Sequence, residues 1–218
     1  MASTINASTS GGGGIISTAD ASGTLTLQGA GNTGLSIDSS GNATATTQAQ
    51  ANNSTRIGTT AYVDRVAVQQ VVSTITGAMA TGTTTMPYDD TIPQNTEGDQ
   101  YMSLAITPKS ATSTLLISVV FNCTCGAANY GTMALFQDST AGALAAVSVL
   151  SANVSGAATY PYQMILNYKM TSGTTSSTTF KVRAGPGASD TMTFNGQSGA
   201  RRLGGVMASS IIITEIGV

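Results

Sequence analysis

NNSTRIGTTAYVDRVAVQQVVSTITGAMA, residues 52–80, divides a leader of Gly, Ser, Thr, Ala and Asn from a long region patterned as β-structure. Thr59 or Thr60 can act as N-cap, Asp64 suits the first turns, and Gly77, Gly82 and the TGTTT run weaken and stop the far end. The pattern predicts a helix over residues 60–80, about 30 Å long at about 1.5 Å per residue. Val68, Val72, Ile75 and Met79 are spaced four, three and four apart, as in a coiled-coil seam, and Val63, Val66 and Val71 widen the face. So short a helix, rich in Val and Thr, needs a partner. Copies of itself are one candidate, and its own β domain is the other.

On the C-terminal side, Pro87 and Pro93 flank the acidic turn DDTIP. Strands are predicted near residues 101–107, 114–125, 131–137, 144–150, 162–170, 178–184, 191–194 and 209–216. Met102, Leu104 and Ile106 alternate onto one face, as do Met133, Leu135 and Gln137, and Met164, Leu166 and Tyr168. Residues 115–121, apolar but for Ser118, and 211–213 are apolar runs, which predicts burial on both faces, one of them against neighbouring copies. Eight strands suit a jelly-roll sandwich. The region 85–218 is expected to fold by itself.

On the N-terminal side, residues 1–14 end in GGGG and read as loose. Short alternating pieces follow at 24–27, 35–38 and 43–46, with a turn signal at Asp38–Gly41. Strands so thin fit either an intertwined β-structure of several chains or a flexible linker.

Composition excludes several functions. Only 8% of the 218 residues are charged and the net charge is −2, so no basic surface exists for nucleic acid. Hydrophobic residues at 41% favour a folded protein over disorder. No apolar run approaches the roughly 20 residues of a membrane span. Residues 1–10 lack the basic and apolar segments of a signal peptide, so synthesis in a cytoplasm is expected. With no His, a Ser-His-Asp or Cys-His site is impossible. Cys123 and Cys125, two apart on a strand, are too distant for easy bridging and read as buried thiols. No catalysis and no cofactor are expected.

Asp89, Asp90, Glu97 and Asp99 are the clustered carboxylates. They read as solvated turn residues, with Ca²⁺ ligation the weaker candidate, since the spacing is not that of an EF-hand. Tyr88, Tyr101, Tyr130, Tyr160 and Tyr162 offer flat apolar rings with a hydroxyl, suited to glycans and protein receptors. Tyr130, Tyr160, Tyr162, Arg201 and Arg202 fall near predicted loops and are the candidate receptor-binding residues. Core or interface packing is the competing role for each tyrosine.

NNSTRIGTTAYVD, carried by Asn53, Ser54, Thr55, Ile57, Gly58, Thr59, Thr60, Tyr62 and Val63, resembles a segment of bacteriophage tail-fibre proteins that leads into a short trimeric helix. Residues 11–42 resemble the repetitive leader of phage structural proteins, and residues 86–119 the opening of a small β domain at phage fibre tips. The strand order resembles tumour-necrosis-factor and C1q-like jelly rolls, which trimerise through one sheet. The resemblance implies a mainly β, homotrimeric virion fibre. Residues 1–51 would be a virion-proximal β-rich trimeric leader, 52–84 a connector with the coiled-coil helix, and 85–218 the jelly roll. It implies attachment to other virion proteins through the N-terminal part and binding of a host surface glycan or outer-membrane protein through the C-terminal domain. A head fibre or decoration protein without a receptor role is the alternative.

Overall fold

Residues 23–29, 32–46, 67–151 and 160–217 are described by the computed structural model. The chain divides into two units, Met1–Val63 and Asp64–Val218. In the first, β1 (Leu25–Gly29), β2 (Asn32–Ile37) and β3 (Ala43–Ala45) form an antiparallel meander in that order. The expected turn joins β2 to β3. The Asp38 carboxylate accepts the side-chain amide of Asn42 at 3.0 Å and the backbone amides of Ser40 and Asn42 at 2.9 Å each. Those bonds, the Asn42 side chain first, hold the Asp38 carboxyl below its ordinary range. Leu25 and Leu27 remain exposed, so this sheet buries little by itself. Residues 1–14 lie outside the described residues.

The second unit opens with a correction. Residues 68–76 form a strand, β4 (Val68–Thr76), and β5 (Ala80–Gly82) follows. Among the described residues there is no α-helix, and residues 60–66 of the expected helix lie outside them. The coiled-coil seam therefore does not exist as one face. Val72 packs against the core, Val68 and Ile75 are exposed on the strand, and Met79 lies between β4 and β5. Six of the nine β4 residues are β-branched, which crowds a helix and suits a pleated surface. A partner strand then decides the matter: β4 pairs antiparallel with the C-terminal strand from Val68 to Thr76. Val68–Gly82 thus belongs to the sandwich, not to a connector.

The remaining strands are β6 (Asp99–Ile106), β7 (Thr114–Cys125), β8 (Asn129–Gln137), β9 (Ala145–Ser151), β10 (Tyr162–Thr171), β11 (Thr178–Pro186), β12 (Met192–Phe194), β13 (Gly196–Gln197), β14 (Ala200–Arg201) and β15 (Ser209–Ile216). All eight expected strands are found. β7 is the spine of the first sheet. One of its edges carries β10; the other carries β15 along residues 114–120 and β12 along 123–125. β4 then extends β15, and β5 extends β12. The second sheet has the order β6-β11-β8-β9. Strands β4, β15, β7 and β10 facing β6, β11, β8 and β9 have the connectivity of a jelly roll, with β5 and β12 added end to end.

Alternation places the core between the sheets. Leu115, Ile117, Val119, Phe121 and Cys123 of β7 point in, against Met102, Met133, Leu135, Phe180 and Val182 of the second sheet. Cys123 and Cys125 are buried free thiols, as expected, and burial pushes both upward in pKa, away from thiolate chemistry.

A buried carboxylate ties the near end, where the chain enters at Val68 and leaves at Ile216. Glu215 is fully buried and accepts Gln70 Nε2 at 2.6 Å and the amides of Lys109 and Ser110 at 2.7 and 3.3 Å. Burial alone would raise its pKa, but these bonds outweigh it and hold the carboxyl below its ordinary value. Thr179, Thr178 and Lys181 lower Asp138 in the same direction. A carboxyl depressed in the folded state stabilises above its unfolded pKa, about 4.3 for Glu. That contribution is lost as pH falls through the folded value. The midpoint of thermal unfolding should therefore drop on acidification below about pH 4.5. Glu215→Gln should cost about 1–3 kcal/mol at neutral pH and flatten part of that acid limb. Melting curves from pH 7 to 3 check both, and an unchanged acid limb in the variant would refute the assignment.

Candidate functional site

The outer faces of the two sheets differ. The segment 83–98 lies across the second sheet as a strap. Met86 packs fully buried on Ala134 and Phe136, which face outward from β8. The strap is held by backbone bonds: Met86 N–H to Pro186 O at 2.9 Å, Ala143 N–H to Pro93 O at 2.9 Å, and Asn95 N–H to Ala141 O at 2.7 Å. Arg183 Nε and Nη2 donate to the carbonyls of Glu97 and Gly98 at 2.8 and 2.6 Å.

The first sheet has no such strap among the described residues over the lower part of its outer face. Cross-strand rows there read Ile75–Ser210–Val120–Ile165, Ser73–Ile212–Ser118–Asn167 and Val71–Thr214–Leu116–Lys169. Lys169 is the sole charge in those rows. Val71 and Ile75 are 57% and 68% exposed, and Ile165 is 54% exposed. The turn at Leu203–Gly205 closes against Gly77, where a Cβ would strike the Gly205 carbonyl, and it brings exposed Leu203 and Val206 to the β4 edge. A shallow groove of about 380 Å³ runs between Leu116, Asn167, Lys169 and Ile212. Of the two apolar runs 115–121 and 211–213, Leu116, Val120 and Ile212 face outward here, with Ser118 between them.

Tyr88, Tyr130, Tyr160 and Tyr162 collect at the far end, opposite Val68. Tyr162 starts β10 beside Cys123, and Tyr130 starts β8 beside Leu150 of β9. They differ in orientation. Tyr162 turns into the sandwich, its hydroxyl 3.3 Å from Cys125 Sγ and against Gly131, where no Cβ would fit. Burial pushes its phenol upward in pKa. Tyr160 is exposed. Tyr130 is 38% exposed and stacks on Tyr88 of the strap, centroids 4.0 Å apart and planes within 12°. Nothing in sequence linked Tyr88 to Tyr130, which stand 42 positions apart, because the strap's path follows from Met86 burial. Tyr101 lies in the core between Phe121 and Phe194.

Arg201 and Arg202 are not beside this tyrosine group. Arg201 ends, and Arg202 follows, the β13–β14 hairpin, which lies over the upper outer face of the first sheet through the bond from Thr124 Oγ1 to Gly196 O at 3.2 Å and that from Gly199 N–H to Thr193 Oγ1 at 3.0 Å. Arg202 Nε donates to Gln197 Oε1 at 3.3 Å.

Three of the four carboxylates, Asp89, Glu97 and Asp99, are engaged separately with their own neighbours. Asp89 accepts the hydroxyl and amide of Thr91 at 2.5 and 2.9 Å, and these bonds lower its pKa. Glu97 accepts the Gln94 amide, and Asp99 accepts the amide and hydroxyl of Thr84. Among the described residues no group of three or more His, Cys, Asp or Glu is placed to hold a metal, and no helix is long and apolar enough to cross a membrane.

No protein-family model matches the chain, and no curated protein matches it. Solved structures to which it is similar include the infectious bursal disease virus Gx strain, at 17% identity over 68% of this chain and 32% of that one, with a TM-score of 0.33. The VP2 subviral particle of infectious bursal disease virus is similar at 14% identity over 69% of this chain and 34% of that one, TM-score 0.33. Dimeric latent PorU from Porphyromonas gingivalis is similar at 10% identity over 69% and 14%, again with a TM-score of 0.33. The chain thus spans about a third of the length of the viral proteins it matches, and at this TM-score two viral particles and a bacterial protein are equally near, so the likeness carries no argument about function.

Proposed function

We propose that this chain is a homotrimeric bacteriophage virion protein. It is joined to other virion proteins through its N-terminal part and to its own copies through the first sheet, and it presents the far end of the sandwich to a host surface glycan or outer-membrane protein. The observation that carries the reading is the asymmetry of cover. The chain spends its own segment 83–98 on the outer face of one sheet and leaves on the other a broad, nearly uncharged face with Val71, Ile75, Leu116 and Ile165 exposed. Patches of that kind mark association surfaces, and a face whose rows carry Lys169 as their one charge suits a copy of itself. The sequence resemblance to phage fibre tips supplies the threefold order and the setting. Tyr130 and Tyr160 lie at the end opposite chain entry, which supports outward presentation. Trimerisation then multiplies a weak contact by avidity.

Light scattering should give about three times 21.8 kDa. Ile75→Asp with Ile165→Asp should give monomers with unchanged β-sheet circular dichroism, since both side chains are exposed and a charge there must be desolvated on association. The trimer should slow phage attachment to susceptible cells, and Tyr130→Ala with Tyr160→Ala should weaken that competition. A wild-type monomer at micromolar concentration sinks the interface. A trimer that never competes, found on the head by antibody labelling, replaces the receptor role with that of a head fibre or decoration protein.

A further inference from the structure

We infer that the strap and the outer face of β9 form a binding groove for an uncharged oligosaccharide, with Tyr88 as its stacking platform. The inference deepens the host-surface reading and rests on it for its purpose. Tyr88 is 59% exposed although Tyr130 covers one of its faces, so the other face is open to solvent. Both rings are held rather than floppy. Tyr88 sits two residues after the fully buried Met86 and one before the Asp89 turn, and the Tyr130 carbonyl is fixed by the Gly187 amide at 2.7 Å. A pre-set flat apolar surface loses little entropy when a ligand stacks on it.

The chemistry continues directly from that platform. Leu150, paired with Tyr130, is exposed beside it, and the outward column of β9 then runs through Ser148 to Ala146. Four residues of strand cover about 13 Å, room for an oligosaccharide rather than one ring. At the lower end a cavity of about 310 Å³ opens between the strap and β9, lined by Asp89, Asp90, Ile92 and Pro93 of the strap and by the small residues Ala143 and Ala146. Asp89 is committed to Thr91, whereas Asp90 makes no hydrogen bond among the described residues and is available to accept from hydroxyls. An aromatic face followed by a carboxylate acceptor matches a pyranose, whose C–H face is apolar and whose rim donates. The same two carboxylates repel sialic acid, uronic acids and phosphate-bearing sugars, so the class is neutral.

The test is saturation-transfer NMR and titration of the full-length protein against neutral oligosaccharides of glucose, galactose and mannose, with a sialylated trisaccharide as the anionic probe. At least one neutral probe should show transfer to its ring C–H protons. Tyr88→Ala should weaken it roughly tenfold, the loss of one stacking face, while Tyr88→Phe stays within about threefold. Asp90→Asn, which leaves the Tyr88 stack in place, should reduce discrimination against the sialylated probe. No binding across the neutral panel, binding indifferent to Tyr88→Ala, or preference for the sialylated probe overturns the groove. Saccharide binding that persists while the trimer fails to compete for cells overturns only the host-surface role; competition without saccharide binding overturns only the groove.

Discussion

A chain that starts at Thr85 is expected to fail to fold, whereas one that starts at Asp64 is expected to melt cooperatively. The prolines after Met86 mark a natural-looking boundary, yet β4 and β5 lie before it and inside the first sheet. Without them β15 keeps β7 but loses its other neighbour from Ser209 to Ile216, and Val72 leaves the core. Polar groups are orphaned at the same time. Asn195 is fully buried and donates its side-chain amide to the carbonyls of Thr76 and Ala78 at 2.8 and 3.1 Å. Glu215 loses Gln70. Each orphan costs about 1–3 kcal/mol, and the total approaches the 5–15 kcal/mol that holds a domain together. Calorimetry and circular dichroism of the two fragments decide. A sharp, reversible transition in the Thr85 fragment would show that β4 and β5 are dispensable.

Phe121→Ala should be the most damaging single substitution in the core, at about 3–5 kcal/mol. Phe121 is fully buried on the spine strand. It meets Tyr101 of the opposite sheet edge-on, with centroids 5.4 Å apart at 77°, and Phe194 of its own sheet at 4.9 Å and 41°. Tyr101 and Phe194 are themselves 5.0 Å apart, so three rings from β6, β7 and β12 close one triangle. Alanine removes the member that spans both contacts and leaves a cavity between sheets that strand pairing prevents from collapsing. For a unit of this size each kcal/mol is worth roughly 2–4 °C, so the midpoint should fall by roughly 6–20 °C. Denaturant titration should show the loss with unchanged slope. A loss under about 1 kcal/mol would mean that the site repacks.

Much of the sandwich was legible because its strands alternate. Met102, Leu104 and Ile106, or Met164, Leu166 and Tyr168, could share a face only at period two, and each set does pack on the core. The Asp38 turn was legible for a local reason, a carboxylate within reach of its own following amides. The candidate site was legible in part. Tyr130 and Tyr160 read as exposed loop-side aromatics and are exposed. Tyr162 read the same way and points inward, because the space that accepts it is made by the absent side chain of Gly131 on another strand.

The mainly β class, eight strand positions, the buried thiols and the near-absence of charge could all be read along the chain. Each rests on local periodicity or composition. Only the tertiary structure decided the state of residues 68–76. Val68, Val72 and Ile75 satisfy a helical seam and a β-branched strand equally well over so short a run, and the choice falls to β15, which pairs Ile213 with Val72 from about 140 residues away. The strap's place over one sheet was equally beyond local reading, since Met86 finds its seat on Ala134 and Phe136 through contacts that no local pattern encodes. That one burial also carries Tyr88 to its stack on Tyr130.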